Sequence, residues 1–570
     1  MILEDKLWIG QSEYGSLCID PAMANRHGLI TGATGTGKTT TVKVLAEAFS
    51  AMGVPVFMQD VKGDFSGISV EGEATDKISE RLVGMGLDPA VWTPDAYPTR
   101  FWDIFGEEGH PIRVTISDMG PAMLGRLLNL SDVQTGVLNL VFRIADEQGL
   151  LLLDLKDLRL MLSYCADHRT EFTTDYGTMS AASIGVIQRA LLTLEEQGGD
   201  IFFGEPELHI QDLMMVDEET GKGYINILSA KKLINSPLLY STFLLWMLSE
   251  LFEELPEEGD LPFPKMVFFF DEAHLIFKDA SKALLDKITQ IVKLIRSKGI
   301  GLYFISQAPG DIPDSVQGQL QNRIQHALHA YTPAEQKSVK IAAETFRPNP
   351  DFKTEDAICN LGVGEALISF LDEKGVPGVV EIAKILPPQS SMKPASAEQI
   401  AEIIAASELE ELYREAIDRE SAYEILSAER EAEEAQQAYE EEMAEAKKAE
   451  KRQQQLEAAE QRRLEREAAA LERARRKEDA ERARAYAQTY NTPASRSRSY
   501  SSYGRRTATT GRTTASRSYT LSSRNTTPAY DPYYDHMPPA PTPVEGPLEQ
   551  LGRTIDRSVN RGMMGNRRYR

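Results

Sequence analysis

Eight residues near the start of the chain, Gly32-Ala33-Thr34-Gly35-Thr36-Gly37-Lys38-Thr39, constrain the fold more than anything else in the 570-residue sequence. They satisfy G-x-x-x-x-G-K-[ST] in full, follow the strand-like run Leu29–Thr31 and lead into the helical run Thr40–Ser50, which is the context such a loop needs. Glycines allow backbone torsions that a Cβ forbids, so successive N–H groups can turn toward phosphate oxygens. The following helix N-terminus adds a field that favours anions. In this arrangement Gly32 to Thr40 cradle a nucleotide, Lys38 reaches the β- and γ-phosphates, and the Thr39 hydroxyl ligates Mg²⁺. A glycine-rich turn with a chance lysine is the alternative, and the flanking strand and helix argue against it.

A second constellation lies far downstream. Phe268-Phe269-Phe270-Asp271-Glu272-Ala273-His274 reads as an apolar strand ending in two acids. Beside a triphosphate, Asp271 would hold Mg²⁺ through water and Glu272 would polarise the attacking water; a strand end in the same sheet is where such a base must sit. The next strand candidate runs into Ser306-Gln307, and Gln307 is the candidate γ-phosphate sensor. Arg296, in Leu294-Ile295-Arg296-Ser297-Lys298-Gly299, has two readings. It is either a cation at the C-terminal end of a helix dipole or a finger reaching a neighbouring subunit's nucleotide. Arg323 and Arg347 are weaker finger candidates. Asp60-Val61-Lys62-Gly63-Asp64 follows the strand candidate Val54–Gln59. If that strand lies beside the phosphate loop, Asp60, Lys62 and Asp64 would serve the Mg²⁺ shell or coupling; a salt-bridged turn is the alternative.

Strand candidates recur between His27 and about residue 390: Leu29–Thr31, Val54–Gln59, Val114–Ser117, Tyr224–Leu228, Met266–Phe270, Gly301–Ile305 and Ala366–Phe370. They alternate with helical patterns, and runs such as Val267–Phe270 are apolar throughout. That pattern predicts an α/β core with a mostly parallel sheet buried on both faces. Residues 118–214 read as a helical insertion. Residues 1–26 hold only two short strand candidates, Leu7–Ile9 and Ser16–Ile19, enough for an extra hairpin. Three scattered cysteines, Cys18, Cys165 and Cys359, match no metal spacing and fit a reduced compartment. The N-terminus lacks a secretory pattern. The most apolar stretch, Ser236–Phe252, is too short and too polar for a bilayer span. A cytoplasmic location without membrane contact is therefore expected.

After Pro387-Pro388 the composition changes. Residues 395–490 contain neither Gly nor Pro and are rich in Ala, Glu, Arg and Gln, which predicts a long charged helix. Apolar residues are too sparse for a regular heptad through its middle, and a coiled coil is open only elsewhere. Glu-to-Arg pairs four apart, Glu410–Arg414, Glu415–Arg419, Glu472–Arg476 and Glu478–Arg482, would support it. Residues 491–545 are rich in Ser, Thr, Arg, Tyr and then Pro, a composition that builds no packed core and predicts a disordered linker. A short basic segment, 546–570, ends the chain. The formal charge is −24, yet residues 491–530 carry seven arginines and no acid, so the body is acidic and the tail basic.

The whole set of segments resembles the HerA-like ATPases, and within them the bacterial DUF853 branch, over about residues 1–390. His27-Gly28-Leu29-Ile30 leading into the phosphate loop, Asp60–Asp64, Phe268–His274, Arg296–Gly299 and Ser306-Gln307 carry the likeness. Phe203–Pro206, Glu344–Pro350 and Leu361–Ala366 extend it. The resemblance implies a RecA-like P-loop core of the FtsK and HerA clan, with ATP and Mg²⁺ as ligands and a homo-hexameric ring. Lys38, Thr39, Asp271, Glu272 and Gln307 then become nucleotide-site residues, and Arg296 falls where coupling motors of this clan place a finger. The chain has no room for the N-terminal barrel of archaeal HerA proteins, and the charged helix and tail lie beyond the likeness.

Two functions follow. One is a ring motor translocating on double-stranded DNA. Lys278, Lys282 and Lys287 would be its pore-facing candidates, and the basic tail with Tyr490, Tyr500, Tyr503 and Tyr519 a nucleic-acid contact. A solvated helix face and a plain linker are the corresponding alternatives. The other function is an ATP-driven assembly or scaffold protein acting on protein partners through the long helix and tail, consistent with the acidic body.

Overall fold

The computed structural model describes residues 1–176, 179–259, 261–278 and 282–488. The linker at 491–545 and the segment 546–570 lie outside the described residues. The chain divides into two units, Met1–Ala458 and Ala459–Arg570.

In the first unit thirteen strands join one sheet. They are β1 (Ile2–Leu3), β2 (Lys6–Ser12), β3 (Gly15–Ile19), β4 (Gly28–Thr31), β5 (Val56–Asp60), β6 (Thr99–Asp103), β7 (His110–Pro111), β8 (Ile225–Ser229), β9 (Met266–Phe270), β10 (Ile300–Ser306), β11 (Asn322–Gln325), β12 (Glu365–Ser369) and β13 (Glu381–Ile385). The order is β1-β2-β13-β12-β11-β4-β10-β9-β5-β8-β6-β7, with β3 paired to β2. From β11 through β7 every neighbour is parallel. β12, β13 and the N-terminal hairpin β2–β3 add an antiparallel wing.

Alternate residues of the central strands enter opposite cores. Phe268, Phe270, Leu302 and Phe304 face a core built with the helical insertion and the helices Pro237–Glu254 and Lys282–Leu294. Val267, Phe269, Tyr303 and Ile305 face a core built with the helix Lys38–Ala51 and the hairpin. Burial on both faces is why these strands read as unbroken apolar runs.

The structure departs from the sequence reading in several places. Val114–Ser117 is no strand: Val114 makes one isolated bridge to Phe203, and the helix Ile116–Leu127 starts two residues later, its Thr115 cap accepting from the Asp118 N–H. β6, β11 and β13 mix apolar residues with Thr, Arg, Asp, Asn, Gln, Glu or Lys, and β7 is only His110-Pro111, so apolar patterning missed them. The strand β5 does not lie beside β4; β10 and β9 stand between them.

The stretch expected as one helix over 395–490 is three: Ala397–Ala406, Leu409–Tyr413 and Ala422–Gln488. The second break, between Tyr413 and Ala422, is explained by docking on both of its sides. Tyr413 is fully buried against Trp102, with ring centroids 5.5 Å apart. Its hydroxyl accepts from the His209 N–H at 3.2 Å and bonds the Asp212 carboxylate. The Arg113 guanidinium donates to the Tyr413 carbonyl at 2.8 Å. At the start of the last helix the Asp157 carboxylate accepts from the Ser421 hydroxyl at 2.5 Å and the Tyr423 N–H at 2.8 Å. Arg419 pairs with Glu205 rather than with Glu415, whereas Arg414–Glu410, Arg476–Glu472 and Arg482–Glu478 pair along the helix. No helix among the described residues is long and apolar enough to cross a membrane.

Removing the Tyr413 ring should leave a cavity and an unpaired Asp212. We expect Tyr413→Ala to cost about 3 kcal/mol or more, read by denaturant unfolding of the full chain. A cost near zero would mean that residues 397–426 do not dock on the core.

Candidate nucleotide site

Strand register sets the site. Thr31 of β4 pairs with Ser306 of β10, and Phe304 pairs with Phe270 of β9, which pairs in turn with Gln59 of β5. The residues that follow, Gly32, Gln307, Asp271-Glu272 and Asp60–Asp64, therefore emerge side by side at one sheet edge.

The phosphate loop is pinned from behind. Gly37 begins the helix Lys38–Ala51 with φ 115°, and an added methyl there would meet the Gly364 Cα at 3.1 Å. Gly32 has φ 155°, and a methyl would meet the His326 Cβ at 2.5 Å. His326 is buried beneath the loop. Its Nδ1 lies 2.9 Å from the Glu365 carbonyl, which can only accept, so Nδ1 carries the proton and Nε2 accepts from the Thr41 hydroxyl at 2.8 Å. The Gly364 N–H donates to the Thr36 carbonyl at 2.9 Å and the Ala33 N–H to the Ala327 carbonyl at 2.8 Å. Thr34 and Gly35 form the exposed tip, with Lys38, Thr39 and Thr40 half-buried behind it. The Lys38 ammonium folds back onto the Gly32 and Ala33 carbonyls at 2.5 and 3.0 Å. Burial pushes it below the usual lysine range, against the pull of the Glu272 charge.

Glu272 is the hub of the facing group. Its backbone is in the left-handed region, φ 47°, unusual for a residue with a Cβ and typical of functional positions. Its carboxylate is nearly buried. Oε1 accepts from the Lys62 ammonium at 2.7 Å, and Oε2 accepts from the Gln307 amide at 3.4 Å. His274 Nδ1 lies 3.3 Å from Oε2. Burial raises the Glu272 carboxyl, but Lys62 with Gln307 outweighs it and holds the group below the usual carboxylate range. Asp271 goes the other way: burial, then the Glu272 charge, lifts its carboxyl to about 6. An adjacent acid of this kind, short of balancing charge, suits a divalent cation, and Thr39 sits on the facing loop.

Asp60 and Lys62 have separate jobs. The Asp60 carboxylate accepts from the N–H groups of Gly63, Asp64 and Phe65 at 2.6, 3.1 and 2.9 Å. It organises the turn and has little capacity left for a metal. Lys62 bonds across to Glu272, so this segment meets the acidic strand, not the phosphate-loop strand. Asp64 enters that turn through its N–H, and among the described residues its side chain makes no hydrogen bond. Arg296 lies elsewhere, in the turn Ile295–Lys298 before β10, where its charge acts on buried His27 at the start of β4. That is the opposite end of the strands from this chain's own phosphate loop. Arg323 donates to the Gln317 carbonyl at 3.2 Å and Arg347 to the Pro377 carbonyl at 3.4 Å.

Sequence reasoning missed a cavity of about 530 Å³ beside the loop, lined by Gly37, Thr40, Ile78, Arg81, Val363 and Met392 among others. Arg81 is fixed there by the Gly364 carbonyl at 2.8 Å and the Ile385 carbonyl at 2.6 Å. Gly37 and Thr40 belong to the phosphate loop and Val363 and Gly364 to Leu361–Ala366, but no motif marks Ile78, Arg81 or Met392. His326 was missed for the same reason.

Comparison with known proteins places the chain. The family model described as "Helicase HerA-like C-terminal" matches residues 6–502. The likeness thus extends through the charged helix, well beyond the boundary near 390 read from the sequence. No curated protein matches. Among solved structures, the unbound bacterial conjugative coupling protein TrwB is similar at TM-score 0.46 and 13% identity, over 69% of this chain and 92% of that one. VirB4 of Thermoanaerobacter pseudethanolicus is similar at 0.43 and 17%, over 67% and 97%. TrwB in complex with ADP and Mg²⁺ gives 0.44 and 14%, over 66% and 88%.

Burial pushes the His326 imidazole down to about 4. The unfolded chain takes up this proton near 6.5 and the folded chain only near 4, so the contribution is present above 6.5 and lost as pH falls. The stability gap between the native chain and His326→Gln should narrow by roughly 3 kcal/mol between pH 6.5 and 4. A gap that stays constant in thermal unfolding over that range would contradict a buried neutral imidazole. With the phosphate loop, the acidic strand and a family match across most of its length, the chain belongs to the HerA-like helicase C-terminal family of P-loop ATPases.

Proposed function

We propose that the chain is a Mg²⁺-dependent ATPase working as a hexameric ring motor on duplex DNA. The observation that carries the reading is the grouping of Lys62, Glu272 and Gln307 at the sheet edge that also bears the Lys38 loop. Loop N–H groups and Lys38 bind the β- and γ-phosphates. Thr39 and Asp271 would hold Mg²⁺, which supplies neutralisation of phosphate charge. Glu272, a carboxylate kept ionised, accepts the proton of the attacking water, and Gln307 orients it. The nucleoside occupies the cavity beside Arg81 and Val363. Arg296, remote from its own loop, serves the neighbouring subunit's nucleotide. The family description supports DNA as the track, and Lys282 and Lys287, on the helix after the acidic strand, are the candidate contacts.

Glu272→Gln should keep ATP binding and lose turnover by about a hundredfold or more. Phosphate release at the native rate in that variant would remove Glu272 from catalysis. Arg296→Ala should lower turnover with little change in ATP affinity, and mixing it with Glu272→Gln should restore part of the activity. Failure of mixing to restore any would count against action between subunits. Duplex DNA should stimulate turnover at low salt, and the stimulation should fade as salt rises. The acidic charge of −24 and the exposed helix Ala422–Gln488 favour a second reading, a scaffold for protein partners. Turnover indifferent to DNA at both salts would favour it.

A further inference from the structure

We infer that Lys62 is a γ-phosphate sensor that exchanges partners: it holds Glu272 when the terminal phosphate is absent and moves to that phosphate when a triphosphate binds. The inference rests on the nucleotide site proposed above and adds a residue to it.

The geometry supports an exchange rather than a fixed strut. The backbone of the turn is rigid, because Asp60 accepts from three successive N–H groups. Gly63 packs on Lys231, where an added methyl would meet the Cε at 2.7 Å. The Lys62 side chain itself is 48% exposed, whereas its partner carboxylate is only 9% exposed. A flexible ammonium on a fixed turn can swing, while the carboxylate it bonds cannot follow. The contact is a single point, Nζ to Oε1 at 2.7 Å, a geometry an ammonium gives up more readily than a bidentate guanidinium would.

Its position gives the swing a destination. Lys62 bonds the acidic doublet that strand register places beside the Lys38 loop, and Lys38 is near enough to feel the Lys62 charge. A terminal phosphate delivered by the loop would arrive at that doublet with more negative charge than one carboxylate. It competes directly for Lys62. The exchange has a chemical consequence. With its Oε1 bonded to an ammonium, Glu272 is a weaker acceptor for a water proton; once Lys62 leaves, that oxygen is available. Hydrolysis capacity is thereby tied to the presence of the bond to be broken. ADP carries no γ-phosphate and leaves the pair intact.

The test is binding alone, so it does not depend on turnover. Affinities for ADP and for an imido-bridged, non-hydrolysable ATP analogue are measured with Mg²⁺ on the full chain, in the native protein, Lys62→Met, Lys62→Arg, Glu272→Gln and the Lys62→Met/Glu272→Gln double variant. Lys62→Met should weaken the triphosphate by about tenfold or more while ADP changes less than about twofold. Lys62→Arg should recover most of that loss. Glu272→Gln leaves no carboxylate to release, so it should tighten the triphosphate relative to ADP, and the gain should vanish in the double variant. Equal effects of Lys62→Met on both nucleotides, or an unchanged triphosphate-to-ADP ratio in Glu272→Gln, overturns the inference. If the native chain binds neither nucleotide, the failure lies with the proposed site itself.

Discussion

Parallel strands that end level with one another are what the site depends on. The register joining Thr31 to Ser306, Phe304 to Phe270 and Phe270 to Gln59 aligns side chains from four parts of the sequence at one edge. A slip of one residue in β9 would turn Phe268 and Phe270 to the other core and move the acidic doublet off the loop. The core on both sides forbids that slip. Two layers of aromatic and aliphatic packing, chosen for burial, thus fix the chemistry at the rim. The doublet itself is split by its surroundings, since Lys62 keeps Glu272 ionised while Asp271 is left short of positive charge.

The helix that begins at the phosphate loop also reaches the chain beyond the core. Lys43 and Glu47 sit on its buried face. Lys43 donates to the Ser391 carbonyl at 2.9 Å, and Glu47 accepts from the Gln389 and Ser390 N–H groups at 2.7 and 3.1 Å. Burial lifts the Glu47 carboxyl to about 7, so the bonds from the 389–390 backbone oppose a substantial desolvation cost. The same strap is held from its other side: the Ala395 N–H donates to the Ser66 hydroxyl at 3.1 Å, and the Ser391 N–H donates to the Val70 carbonyl at 2.8 Å. Residues 389–395 thus join the phosphate-loop helix to the segment just after the turn that carries Lys62, and they lead directly into the helix Ala397–Ala406.

Much of this was legible in the sequence because it is local. The phosphate loop is contiguous and needs glycines at fixed positions. The acidic strand announces itself by unbroken apolar residues followed by charge. What was not legible depends on pairing across distance. The partner of Lys62 is 210 residues away, and nothing in Asp60–Asp64 distinguishes a bond to Glu272 from a local turn. Strands such as Asn322–Gln325 are held by neighbours rather than by their own apolar pattern. The long helix was read as continuous because neither Gly nor Pro interrupts it, yet Tyr413 and Ser421 find partners on the core that a straight helix would not reach.

The most direct examination of the account is a crystal structure of the full chain with Mg²⁺ and a non-hydrolysable ATP analogue. The account predicts that the Lys38 ammonium leaves the Gly32 and Ala33 carbonyls for the phosphates, with the terminal phosphate facing Glu272. A nucleotide bound elsewhere, with Lys38 still folded onto its own loop, would contradict it.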